Sequence, residues 1–155
     1  MKGFVIPERG HIVNILPPVD INGGVNSDVF SMRHAGHVDI VIEFGVQAAA
    51  TTITVEECDD FTPTTSTAIA FDYYYEDSAA GDTLSDRTAA TSSGISSSTT
   101  NNIFKVISID ASQLTDGYPC LRVCFSDPEA SNIVSAQAYL SGQRYQEENT
   151  PTAIA

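Results

Sequence analysis

His37-Val-Asp-Ile-Val-Ile-Glu-Phe44 alternates apolar and polar side chains without a break. Val38, Ile40, Ile42 and Phe44 fall on one side, and Asp39 and Glu43 on the other. A period of two is the mark of a strand with one buried face. The same pattern recurs along the chain. Thr51–Cys58 (TTITVEEC) turns Ile53 and Val55 inward and Thr52, Thr54 and Glu56 outward. Thr67–Tyr75 (TAIAFDYYY) places Ile69, Phe71, Tyr73 and Tyr75 together. Ile103–Asp110 (IFKVISID) gathers Ile103, Ile107 and Ile109, with Phe104 and Val106 opposite, as if both faces were covered. Pro119–Ser126 (PCLRVCFS) buries Leu121, Val123 and Phe125, and Asn132–Leu140 (NIVSAQAYL) buries Val134, Ala136, Ala138 and Leu140. Asp28–Arg33 (DVFSMR) is a shorter apolar run.

Outward from this core the texture changes. Residues 1–27 read as an arm and lead-in. Ile12, Val13, Ile15 and Leu16 suit one short strand, which Pro17 and Pro18 are expected to end, before a turn at Asn22-Gly23-Gly24. Residues 77–102 are small and hydroxylic, with Leu84 and Ile95 as the only large aliphatic side chains. Long loops of this kind are uncommon inside compact domains. The segment reads either as an exposed flexible loop or as an extension that orders by adding a strand to a neighbour. Residues 143–155 form a second arm. The nearest approach to a helix is Ala111–Thr115, one turn long before Asp116-Gly117 stops it. Seven or eight short strands without crossover helices argue for an antiparallel sandwich or barrel and predict one β-sandwich domain over 28–142, jelly-roll-like, with an immunoglobulin-like sandwich as the alternative. The Trp that marks an immunoglobulin core is missing, because the chain has no Trp.

The bulk numbers agree with one packed domain. The chain has 155 residues, 42% of them hydrophobic and only 17% charged. Ser, Thr, Asn and Gln therefore make up most of the polar surface, a composition suited to sheet and turn. Seven basic residues stand against 20 acidic ones, for a net charge of −13. That balance argues against nucleic acid and anionic membranes as partners, since both are bound through Lys and Arg. Pro7, Glu8, Arg9 and Gly10 interrupt any secretory apolar region. No stretch reaches the roughly 20 apolar residues of a membrane helix. The expected site of synthesis is a cytoplasm. The cysteines, Cys58, Cys120 and Cys124, are odd in number and do not suggest a disulfide framework. Cys120 and Cys124, four apart in one strand, would stand about 13 Å apart, too far to bridge.

Reactive chemistry is sparse. His34-Ala-Gly-His37 is the one close histidine pair, and a zinc site there would need further ligands from other strands. Polar loop histidines are the expected reading. Glu56-Glu57 and Asp59-Asp60 match no EF-hand spacing and read as a solvated strand end. There is no GxSxG elbow and no phosphate-binding glycine loop. Catalytic, cofactor-binding and metal-binding residues are accordingly expected to be none. In Asp72-Tyr73-Tyr74-Tyr75-Glu76, alternation exposes Tyr74 opposite Tyr73 and Tyr75. Tyr74, together with Phe4, Val5 and Ile6 of the first arm, forms the candidate interface, since apolar groups outside a core need a partner to cover them.

Several segments together resemble the capsid cement (head-decoration) proteins of tailed bacteriophages. They are Met1–Pro18, Ile53–Thr62 (ITVEECDDFT), Ala68–Tyr75 (AIAFDYYY), Gly81-Asp82-Thr83-Leu84, Asn102–Leu114 (NIFKVISIDASQL), Ser141–Tyr145 (SGQRY) and Pro151–Ile154 (PTAI). They cover about half the chain. The resemblance implies a jelly-roll or related sandwich, a homotrimer, and a seat on the outer capsid surface where major capsid protein subunits meet. It also implies no enzymatic activity and no cofactor. It carries over no catalytic residue. Three other readings compete: a different head or tail component, a carbohydrate-binding module using Tyr73–Tyr75, and a small metal-dependent jelly-roll enzyme using His34 and His37.

Overall fold

A computed structural model describes residues 3–143 and 151–155. Met1 and Lys2 of the first arm, and residues 144–150 of the second, with the Arg144-Tyr145 pair, lie outside the described residues. In chain order the strands are β1 (His11–Asp20), β2 (Val25–Asn26), β3 (Phe30–Ser31), β4 (His37–Gln47), β5 (Thr52–Cys58), β6 (Ser66–Ile69), β7 (Phe71–Glu76), β8 (Thr88–Ala90), β9 (Ile95–Ser96), β10 (Ile103–Asp110), β11 (Cys120–Phe125) and β12 (Asn132–Ser141). A single helical turn, α1 (Ile6–Arg9), precedes them, and a 3-10 turn at Ala111–Gln113 follows β10. No helix among the described residues is long and apolar enough to cross a membrane.

The strands form two antiparallel sheets of six. The first runs β1-β12-β4-β10-β7-β8. The second runs β2-β11-β5-β6, with β3 also on β11 and β9 also on β5. The chain crosses from one sheet to the other repeatedly, so β1-β12-β4-β10 faces β2-β11-β5-β6. That is the jelly-roll-like sandwich expected from the strand pattern. The reason is the alternation itself. Every strand has one apolar row to hide, and two sheets laid face to face hide all of them at once. Val38, Ile40, Ile42 and Phe44 of β4 are fully buried, as are Val123 of β11 and Ala138 of β12. Phe44 meets Phe125 edge to face across the sandwich, with centroids 6.4 Å apart. Each large aliphatic side chain in this layer contributes about 2 kcal/mol relative to exposure.

Three expectations change in the structure. Pro17 and Pro18 do not end β1, which runs on to Asp20. The strand lies at the sheet edge and its register against β12 shifts between Asn14 and Leu16 and again between Leu16 and Val19. At such edge irregularities proline costs no ladder bond. Thr67–Tyr75 is not one strand: β6 pairs with β5, whereas β7 pairs with β10 in the other sheet. The chain turns this corner at Ala70, so Ile69 and Phe71 belong to different layers. The outer face of β10 is only half-covered at Phe104 and Val106. The core face of the same strand holds Lys105, 3% exposed, whose Nζ reaches Asp77 at 2.9 Å and sits 5.2 Å from the Tyr75 ring centre.

Residues 77–102 order within their own chain. β8 extends the first sheet through β7, and β9 extends the second through β5. The end of the chain is also docked. Phe30 bridges Ile154, the Ser31 amide donates to the Ala153 carbonyl at 2.8 Å, and Ala153 is buried.

Candidate functional site

The outer face of the first sheet carries a groove of about 660 Å³. Period-two geometry and the strand register build its floor. Val106 of β10 stands opposite Val41 of β4 on one side and Tyr74 of β7 on the other. Gln137 of β12 stands opposite Val41. In the next row Ser108 faces Asp39 and Asp72, and Tyr139 faces Asp39. The walls come from loops and the arm: Leu84 from the Ser/Thr-rich segment, and Phe4, Ile6 and Arg9 from α1 and the residues before it. Phe4 is 78% exposed, and α1 buries no side chain. Three of the four candidate interface residues, Phe4, Ile6 and Tyr74, thus line one groove. Val5, half-exposed, points elsewhere.

One end of the groove is polar. His37 Nδ1 lies 2.7 Å from Asp110 Oδ1, and its Nε2 lies 3.2 Å from Asp39 Oδ1. The Ser108 hydroxyl donates to the same Asp39 oxygen at 2.9 Å and stands 3.2 Å from His37 Nε2. Burial alone would push the His37 pKa down. The hydrogen bonds to Asp110 and Asp39, with the charges of both, outweigh that and raise it above the ordinary value. Ser108, His37 and Asp110 stand in the order of a nucleophile, base and orienting carboxylate. The geometry opposes that use. The Ser108 hydroxyl donates to Asp39, and His37 Nε2 is as near to that carboxylate as to the hydroxyl. Ser108 also sits mid-strand, paired between β4 and β7. The cluster ties strands β4 and β10 together.

His34 is exposed on the turn before β4, and the hydrogen bonds of His37 go to Asp110, Asp39 and Ser108. Among the described residues no group of three or more His, Cys, Asp or Glu side chains could hold a metal ion. The acidic run at 56–60 is not a solvated strand end. Glu56 pairs with Arg122, Glu57 is buried and accepts the Thr115 amide at 2.8 Å, and Asp59 accepts Thr64 and Thr65. Cys58 stands opposite Cys120 in the β5–β11 register, and both are buried free thiols. Burial pushes the Cys58 and Cys124 thiols up to about 11, and raises Cys120 as well, so all three stay protonated and unreactive near neutrality.

The two outer faces differ. The second sheet shows solvent Thr52, Thr54, Glu56, Ala68 and Arg122. The first shows Val41, Val106, Tyr74 and Tyr139 around the groove. Tyr73 and Tyr75 share the other side of β7, in contact with each other and, through Tyr73, with Phe71; against expectation, Tyr75 is the exposed one of the three and Tyr74 is half-buried. Comparison with protein-family models, curated proteins and solved structures finds no match.

Proposed function

We propose that this chain is a structural protein of the virion, a cement protein that sits on the outer capsid of a tailed bacteriophage and binds between subunits of the major capsid protein, as a homotrimer. The observation that carries the reading is the exposed apolar arm. Phe4 and Ile6 sit beside an apolar strip of the first sheet, and Val5 between them is exposed as well, all outside any core, on a sandwich whose opposite face is polar. Surface of that kind is covered in an assembly or it is a liability. The rest of the molecule supports a passive role. Cys58 and Cys120 are buried, the serine–histidine–carboxylate cluster is held by Asp39, and the loops are tied down by their own hydrogen bonds. The resemblance in the sequence points the same way. A weak contact repeated over many copies is enough to reinforce a shell.

Hydrogen exchange tests the docking element. Amides of residues 4–10 should exchange quickly in the free protein and slowly on the particle. Equal exchange in both states would remove the arm from the contact.

A further inference from the structure

We propose that the groove on the outer face of the first sheet binds a neutral carbohydrate, one pyranose stacked over the Tyr74–Val106–Val41 row with its hydroxyls turned toward Asp39, Ser108 and Arg9. This inference stands apart from the virion reading and does not depend on it.

The groove volume of about 660 Å³ is that of a small-molecule site, and its make-up is a broad apolar bed with a few polar groups at one end. Charge selects the ligand class. The chain as a whole carries −13. The groove itself is balanced: Arg9 and Asp39 are the formally charged side chains among its lining residues. A charged ligand would leave one of these groups uncompensated, whereas a neutral one disturbs none. The polar end also rules on shape. Asp39 lines the groove with its side chain 46% exposed, and the bonds from Ser108 and His37 both fall on Oδ1. An acyl chain laid there would bury more of this carboxylate without giving it a partner, at a cost. An extended peptide fares no better, because β4 and β10 are inner strands whose backbone groups already pair on both sides and offer no edge for another strand. A sugar ring presents an apolar face to an aromatic bed and a rim of hydroxyls that both donate and accept.

The test is an NMR titration of the full-length, isotope-labelled protein with methyl α-glucoside, methyl β-galactoside, maltotriose and N,N′-diacetylchitobiose. At least one should move the amides of Val41, Tyr74, Val106 and Ser108, with a dissociation constant of order 1 mM. Tyr74→Ala should weaken that binding about tenfold, and Leu84→Ala should weaken it less. Thr67→Ala, on the opposite sheet, should leave it unchanged. Melting curves identify any variant that has lost its fold, and the second groove variant then decides. Unmoved groove amides at about 50 mM of every neutral sugar would overturn the proposal. So would shifts that persist unchanged in both groove variants, or binding confined to anionic sugars.

Discussion

Gly81 lies so close to Glu76 that a β-carbon there would stand 2.6 Å from Oε2 and 2.7 Å from Oε1 of the buried carboxylate. The carboxylate cannot give way freely. It accepts the Ser78 amide at 2.7 Å and the Thr83 amide at 2.8 Å, and so fixes the start of the Ser/Thr-rich segment. Gly81→Ala should therefore destabilise by about 2 kcal/mol. In Glu76→Ala the same substitution should cost much less, a coupling that urea denaturation of the four-protein cycle measures directly.

Gly94 should be less forgiving still. Its φ is +80°, and a β-carbon there would stand 2.7 Å from Thr54 Cγ2 and closer yet to the Ile53 carbonyl. The obstacle is backbone of a central strand. Gly94→Ala should cost about 3 kcal/mol and release β9 from β5. The measurement is a denaturation midpoint combined with amide exchange at Ile53 and Ile95.

Asn132 is fully buried and joins three segments. Its Oδ1 accepts the Ala48 amide at 2.8 Å and the Ala49 amide at 3.3 Å, its Nδ2 donates to the Ala49 carbonyl, and its own amide donates to Asp20. Asn132→Leu has similar volume and strands all three side-chain partners. It should destabilise by about 3 kcal/mol, where a surface substitution such as Thr67→Leu should change little.

The pH dependence has two arms of opposite sign. The His37 pKa is raised in the folded state, so its contribution is complete below about 6.5 and fades as pH rises through the folded value. The Asp20, Asp59, Glu76 and Asp127 carboxyls are lowered, chiefly by hydrogen bonds from Ser131, from Thr64, from the Ser78 amide and from the Gly23 amide. Their contributions are complete above about pH 4 and are lost as pH falls through the folded values. Stability should peak between these limits. Asp110→Asn should lower the His37 titration midpoint, read by NMR, and flatten the alkaline arm.

Much of this fold was readable from alternation alone. The inward residues of β4, β11 and β12 are those the period of two selects, because each strand is long and one-sided. The corner at Ala70 was not readable. TAIAFDYYY keeps its alternation through the turn, and only the pairing of β6 and β7 with different sheets reveals the break. Lys105 was hidden for a related reason, since a lysine on a core face announces itself only when Asp77 and Tyr75 are seen beside it. For the groove, the sequence placed Tyr74 outward and marked Phe4 and Ile6 as apolar without a core. Alternation put Asp39 on the outer side of β4, but His37 stood out only beside His34, and nothing in the pattern singled out the pairs His37–Asp39 on β4 and Ser108–Asp110 on β10. That the two pairs meet is a matter of register between strands some 65 residues apart. No local pattern encodes that register.

The virion reading is tested most directly by counting this chain on purified heads from which tails have been removed, by quantitative mass spectrometry against the major capsid protein. A cement protein should be present in hundreds of copies per head and should come away as an intact sandwich under mild dissociation. Its absence from tailless heads, or a handful of copies restricted to the tail, would contradict the account.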